Sequence, residues 1–509
     1  MGFAFEGTAI SATPITQAAS VLLTRGPGAP ELFVVRRAET LRFFGGYLAF
    51  PGGKMAPGDG SAIEGGHRVA AVRELFEETG VLLARRGDGT FPPAGSDLRD
   101  LRKQVLEEFP PFAGLLDRRG LHIQPDDLRA IGRLVTPPFT ALRFDTAFFV
   151  GSLPPNQEAE IWPGELAEGE WLLPDALLAR WTRGECLISP PTLMLLQAAR
   201  NAVLDELPQR LASLISSLDG GALPPIFFAP GVQLLPLAAS ALPPSTHTNA
   251  YLVGRDPAYL IDPGPENPEE QQRLFAVLDI QKSSGCRLAA VVLTHHHRDH
   301  VGAARVCAER YGVPIWAHAL TADVLRNKLT VSRELQDGDR LDLGKAPDGH
   351  PWFLETLHTP GHAAGHLAFY EPHYRLLFAG DMVSTQSSIL IVPPDGDLAT
   401  YLASLRRLRA LACRLLLPAH GSPSAQPVKT IDECLAHRAK REQQLLETLA
   451  AGPRTVPELV EELYRSTPAT LLRMAELQIR AGLHKLQCEG SVEVRGAGDD
   501  SAWSLRRTR

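Results

Sequence analysis

The apolar run 288–293 stops abruptly at Thr294-His295-His296-His297-Arg298-Asp299-His300. A short run with no polar residue reads as a buried strand, so the polar loop that follows it lies at the end of a sheet. The spacing is H-x-H-x-D-H. In a tight loop it can point His295 and His297 at one ion, and Asp299 and His300 at a second. Neutral imidazoles with a carboxylate suit zinc and similar first-row metals. The loop therefore reads as half of a dinuclear hydrolytic centre, and that reading requires more ligands downstream.

Three later segments supply them. His362 lies in His358-Thr359-Pro360-Gly361-His362-Ala363-Ala364-Gly365-His366, after the apolar-rich stretch 352–357. Asp381 ends the apolar run 376–380, and His420 ends 415–419. Each follows an apolar run, where the strands of a layered fold deliver side chains to one rim. Strands at 232–237, 250–253, 258–262 and 313–317 alternate with helices at 269–280 and 302–311, which argues for a layered α/β domain.

This set resembles the metallo-β-lactamase fold superfamily. The resemblance implies an αββα sandwich over 233–430. In it His295, His297 and His362 hold one metal, Asp299, His300 and His420 the second, and Asp381 bridges them, with zinc, iron or manganese as the ions. It implies a catalytic part for Asp299 and activation of water by the two ions. Asn249 and Asp262 stand in segments typical of the superfamily and are expected to be structural. His366 is expected behind a ligand, His296 and His358 outside the set, and Arg298 in solvent. The ligand pattern looks like the glyoxalase II-like and lactamase-beta-like branch, whose members cleave thioesters or, in some cases, RNA phosphodiesters. Only 54 residues separate Pro360 from Leu415, so the long insert of the RNA-processing branch is absent.

A second chemistry stands upstream. Apolar runs at 18–23 and 31–37 read as strands, and Pro51-Gly52-Gly53-Lys54 as a tight turn. A helix expected over 67–80 carries Val69, Val72, Leu75 and Phe76 on one stripe. Glu74, Glu77 and Glu78 lie off that stripe, at spacings that put them side by side. Adjacent carboxylates repel and need cations, and hard oxygen donors favour magnesium or manganese. Arg73-Glu74-Leu75-Phe76-Glu77-Glu78-Thr79-Gly80-Val81 is similar to the core of the Nudix box. With Thr136-Pro137, Arg143-Phe144-Asp145-Thr146 and Ser189-Pro190-Pro191-Thr192, the segment looks like the Nudix branch that includes coenzyme A diphosphatases. That resemblance implies an α/β/α sandwich over 1–215, catalysis by Glu74, Glu77 and Glu78, and hydrolysis of a diphosphate-linked substrate. The family's further Glu falls at Gly65 here, with Glu64 one place away. Glu165 and Glu168 are candidates for an extra base. A strand at 170–173, a helix at 174–182 and a long helix at 191–214 follow, and the Gly/Pro-rich stretch 216–232 reads as a linker.

Residues 431–509 read as three helices and a two-stranded hairpin, with Thr455 and Glu458 as a capping box. They resemble the winged-helix appendage of lactamase-beta-like proteins. Twelve Lys and Arg balance twelve Asp and Glu there, whereas a DNA reader should be basic. Packing or dimerisation is the favoured role. The whole 509-residue chain carries a net charge of −7, with no general attraction to nucleic acid or an anionic membrane. Six scattered cysteines without a C-x-x-C fit a reducing, cytoplasmic setting. No apolar stretch reaches membrane-spanning length. The chain is thus expected to be a bifunctional metal-dependent hydrolase, acting on a thioester and on a nucleoside diphosphate derivative such as coenzyme A. A single-stranded endoribonuclease, and a sensor whose Nudix fold only binds nucleotide or RNA, are the alternatives.

Overall fold

A computed structural model describes residues 14–26, 30–41, 43–61, 65–107, 111–140, 142–162, 164–200, 206–241, 243–496 and 501–506. Glu64 lies outside the described residues. The chain divides into two compact units that meet in sequence at Leu234 and Leu235.

In the first unit, period-two alternation sorts side chains onto the two faces of one mixed sheet. Its strands run in the order Leu187–Ile188, Tyr47–Ala49, Glu31–Arg37, Ile15–Arg25, Arg143–Ser152, Arg129–Val135. Val21, Leu23, Phe33 and Val35 pack with the helices Gly66–Thr79, Ser96–Leu106 and Phe112–Asp117. Leu22, Leu32 and Val34 pack on the other face with Pro174–Thr182, Pro190–Ala199 and Leu207–Asp219. This is the α/β/α sandwich. The helix Gly66–Thr79 stops where expected: Gly80 turns left-handed (φ 72°) and its N–H caps the Phe76 carbonyl. The single helix expected over 191–214 is instead two. Arg200 turns extended (ψ 126°), and Pro208 opens the second helix in its first turn, where its missing N–H has no intrahelical partner to lose. The strand expected over 170–173 starts earlier, as Leu166–Leu172, and pairs beside Glu31–Arg37.

The second unit holds two sheets. One runs Val232–Ala238, His247–Gly254, Ala258–Ile261, Leu288–Val292, Ile315–His318, Arg333–Leu335; the other runs Arg340–Lys345, Pro351–His358, Leu367–Glu371, Leu376–Ser384, Leu415–His420. They meet where Tyr251 lies edge-on to Phe378 at 5.3 Å and donates its hydroxyl to the Pro418 carbonyl. Leu377, Ala379 and Leu416 face the other way, onto the helix Leu398–Arg409. Layers of helix, sheet, sheet and helix follow from that alternation. No helix among the described residues is long and apolar enough to cross a membrane.

The helix Pro427–Ala450 runs without a break from this sandwich into the C-terminal module. There Leu445, Leu449, Leu459, Ile479 and Leu483 form a separate small core with Trp503 of the terminal hairpin. The capping box is present: Thr455 Oγ1 accepts from the Glu458 N–H at 3.4 Å, and Glu458 Oε2 accepts from the Thr455 N–H at 2.7 Å. Thr455→Ala should cost about 1 kcal/mol. Hydrogen exchange followed by mass spectrometry should then show the amides of Val456–Leu463 opening about fivefold more readily.

Candidate metal centres

The strand Leu288–Val292 is central in its sheet and wholly paired, so the chain leaves it at the rim, where Asp262 collects it. The Asp262 carboxylate accepts from the Thr294 N–H at 2.8 Å and from the Thr294 hydroxyl at 2.7 Å. His297 then caps a one-turn helix, Arg298–Val301, which carries Asp299 and His300. His362 arrives on the turn after Pro351–His358, and His420 ends the strand Leu415–His420. Asp381 departs from expectation in one respect: its strand does not end there but runs on to Ser384. The pairing register slips at Gly380, which turns left-handed (φ 50°). A Cβ at Gly380 would stand 2.5 Å from His366 Nε2, so only glycine lets the strand kink and aim Asp381 into the site.

The donors form two groups around that carboxylate. His297 Nδ1 lies 2.9 Å from both His295 Nε2 and His362 Nε2, and His362 Nε2 lies 3.3 Å from Asp381 Oδ2. On the other side His420 Nε2 lies 3.3 Å from Asp381 Oδ1 and 3.4 Å from Asp299 Oδ2, and His300 Nε2 lies 3.6 Å and 3.5 Å from the same two oxygens. Two donors on one tetrahedral ion, each at 2.0–2.1 Å, stand about 3.3 Å apart, so both groups are sized for a first-row ion. Two atoms strengthen the fit. His300 Nε2 and Asp381 Oδ1 are fully buried and have no hydrogen-bond partner, an arrangement that costs free energy unless a cation sits between them.

Three of the rings are held from behind. Asp262 Oδ2 takes His300 Nδ1 at 2.9 Å, the Leu390 carbonyl takes His362 Nδ1 at 2.8 Å, and the His247 carbonyl takes His420 Nδ1 at 2.9 Å. The Thr248 hydroxyl donates to Asp299 at 2.9 Å, and the Asp381 N–H donates to His366 Nε2 at 3.1 Å. Asn249 ties down the strand end by donating to the carbonyls of Pro418 and Gly421. Asp262 thus does more than shape the fold, because it orients a ring. The two carbonyl partners carry no sequence signal, since every residue has a carbonyl. Among the remaining residues, Arg298 pairs with Glu266 in solvent, His296 lies 3.6 Å from Asp395, and His358 stacks on His318 at 4.2 Å.

Electrostatics split the two groups. Burial, then the neighbouring imidazoles, hold His295 and His297 well below the ordinary histidine range, so both are neutral and ready to donate. Burial pulls His300 the same way, but Asp299, Asp381 and Asp262 outweigh it and raise it well above. Burial likewise opposes charge on Asp381, yet His420 and His300 keep it well below the usual carboxylate range.

The upstream carboxylates are arranged differently. Glu78 is half-buried and accepts from the Gly52 N–H at 2.8 Å. Glu74 and Glu77 share the Arg73 guanidinium at 3.0 and 3.1 Å, and Arg73 is clamped from behind by Asp59 at 2.9 Å. Asp59 carries no spacing signal that could have marked it. The Glu74, Glu77 and Glu78 oxygens are not gathered within 4.8 Å of one another, as the donors of the downstream groups are. They still call for a cation. Burial first, with Glu77 and Asp59 against the help of Arg73, pushes Glu74 up to about 7, and burial with Glu74 raises Glu78 well above its ordinary value. Gly53 makes room here, since a Cβ on it would stand 2.4 Å from Glu74 Oε2. Glu168 is taken up by Arg36, and Glu165 is exposed.

The Metallo-beta-lactamase superfamily model matches residues 244–420. The NUDIX domain model matches 14–103, the NUDT19 Nudix domain model 64–198, and the Beta-lactamase associated winged helix domain model 455–503. The lactamase-like protein vrtG of Penicillium aethiopicum is 31% identical over 244 residues, which cover 45% of this chain and 71% of that protein. The atrochrysone carboxyl ACP thioesterase of Aspergillus terreus is 27% identical over 277 residues, covering 51% and 80%. A NUDIX hydrolase from Alicyclobacillus acidocaldarius of known structure is 32% identical, with 38% of this chain and 94% of that one covered and a TM-score of 0.35. Layered sheets with strand-end imidazoles and carboxylates, preceded by a Nudix sandwich, define a hydrolase that works with divalent metal ions. The chain belongs to the metallo-β-lactamase superfamily, with a Nudix domain before that domain and a β-lactamase-associated winged helix after it.

Two outcomes follow from this geometry. Asp381→Asn should lower the content of tightly held divalent metal per chain relative to the wild type, read by elemental analysis after dialysis. For Glu74, the folded chain keeps the proton up to about pH 7 while the unfolded chain releases it near 4.5. Its stabilising contribution is therefore full below 4.5 and lost as the pH rises through 7. In EDTA, Glu74→Gln should retain about 2–3 kcal/mol that the wild type loses across that window, and magnesium should close the gap at pH 8; thermal unfolding at pH 5 and pH 8 checks both.

Proposed function

We propose that the protein is a bifunctional hydrolase, cleaving a thioester at the His295-to-His420 centre and a diphosphate at the Glu74-to-Glu78 helix. The observation that carries this reading is Asp381, whose two oxygens each face a separate donor group. In this reading His295, His297 and His362 hold one ion, Asp299, His300 and His420 the other, and zinc, iron or manganese would serve. When bound, the pair supplies an activated water and polarises the scissile carbonyl. The chain's own residues do the rest. Asp262, Leu390 and His247 fix which ring nitrogens face inward, Thr248 holds Asp299, and Asn249 holds the His420 strand end. A relative named as a thioesterase supports the thioester over other acyl groups.

At the Nudix helix, Glu74, Glu77 and Glu78 would hold magnesium or manganese together with the diphosphate oxygens. Arg73 must then release Glu74 and Glu77, while Asp59 and the Lys54 carbonyl keep its guanidinium near the strand turn. The substrate that joins both chemistries is an acyl derivative of coenzyme A. The endoribonuclease reading is disfavoured by the charge balance of the winged helix, twelve cations against twelve anions.

Full-length protein incubated with an acyl-coenzyme A should yield free acid and coenzyme A, and separately a phosphopantetheine fragment with an adenosine bisphosphate, read by mass spectrometry. Asp381→Asn should reduce the first activity at least a thousandfold and spare the second. Glu78→Gln should do the reverse. Absence of all four products would refute the coenzyme A assignment, and cleavage of single-stranded RNA that is lost in Asp299→Ala would favour the nuclease.

A further inference from the structure

One buried cation outside the metal centre stands where two elements of the C-terminal module meet the loop beside His362. Arg438 lies in the helix Pro427–Ala450 and is 8% exposed. Its guanidinium donates to the Ile389 carbonyl and to Gln478 Oε1, and it sits 5.4 Å from the centre of the Tyr401 ring. Gln478, on the helix Leu472–Cys488, donates in turn to the Ile391 carbonyl at 3.4 Å. The residue between these two clamped carbonyls is Leu390, and its own carbonyl takes His362 Nδ1 at 2.8 Å. Three consecutive carbonyls are therefore held from two helices on one side and a candidate ligand ring on the other.

A second route leads to the same place. The Tyr401 hydroxyl donates to the Met382 carbonyl at 2.8 Å, one residue beyond Asp381. Its backbone is the floor under Gly361, the residue before His362. Gly361 is at φ 134°, and a Cβ there would fall 2.2 Å from Tyr401 Cα. The Gly361 carbonyl accepts from the Asp397 N–H at 2.9 Å, which closes the loop 389–397 onto the His362 turn. Arg438 thus touches both supports of the ring, through Ile389 and through Tyr401.

We infer that Arg438 and Gln478 are positioning residues for the metal centre: helices continuous with the winged-helix module clamp 389–391 so that the Leu390 carbonyl fixes the orientation of His362. This assigns the C-terminal module a part in hydrolysis without any contact with nucleic acid. It rests on the reading of His362 as a metal ligand. A planar guanidinium suits the task because it bonds a carbonyl and an amide oxygen at once while lying against an aromatic ring. Partners behind ligands set the metal affinity of a site by fixing ring orientation.

Cobalt(II) titration of the metal-free full-length chain, followed by visible absorption, tests the clamp. The wild type should bind two ions, and His362→Ala should weaken one of them. Arg438→Met should weaken that same ion by about tenfold, the lower end of the range for loss of such partners, and shift its ligand-field bands; Arg438→Lys should restore part of the loss. Gln478→Leu removes the Ile391 contact and one acceptor of Arg438 but leaves the guanidinium on the Ile389 carbonyl, so it reports even where Arg438→Met does not fold. Lys485→Met is the structural control. It removes a buried cation of the same module that pairs with Glu442 and Glu489, away from the loop, and should lower the unfolding temperature while leaving both cobalt affinities unchanged. Wild-type affinity and bands in Gln478→Leu and in folded Arg438→Met would overturn the clamp alone. Cobalt binding that His362→Ala leaves intact would overturn the ligand reading and the clamp with it.

Discussion

Two buried atoms without a hydrogen bond, His300 Nε2 and Asp381 Oδ1, set the terms for the second unit. Buried polar atoms that make no hydrogen bond are costly, and a cation between these two would offset that cost. The rest of the sandwich answers to that demand. Strands that reach one rim bring the donors together from four separate segments. The Gly380 kink turns Asp381 inward, and hydrogen bonds from behind fix the rings of His300, His362 and His420.

The same physics takes another form in the first unit. Its carboxylates are crowded and buried too, yet an arginine lies between two of them and a glycine N–H holds the third. Oxygen donors on one helix face make a looser, harder site, and Arg73 supplies the positive charge between Glu74 and Glu77. The imidazoles and carboxylates of the second unit gather in groups within 4.8 Å of one another, whereas the Glu74, Glu77 and Glu78 oxygens do not. That difference follows from side-chain freedom: three rotatable bonds in glutamate against two in a histidine pinned at its far nitrogen.

Much of this was legible in order along the chain. Short apolar runs identified the strands, the capping box marked the helix at Val456, and Gly80 marked the end of the Nudix helix, because each of those signals is local. The break between Ala199 and Leu207 was missed because both halves are apolar enough to read as one amphipathic run. The strand bearing Asp381 was expected to end at its ligand; it kinks there instead, for a glycine before an aspartate reads as a stop and as a bulge equally well.

By itself the sequence determined which donors are available: seven imidazoles and carboxylates in or just after apolar runs, three glutamates on a helix, and the family of each domain, because donor type and local spacing are written residue by residue. The tertiary structure alone decided what those donors do together. It paired each Asp381 oxygen with a different donor group and recruited the carbonyls of Leu390 and His247 behind the rings of His362 and His420. Such partners lie tens to hundreds of residues apart and include backbone groups that every residue possesses, so only the packing of the sheets selects them.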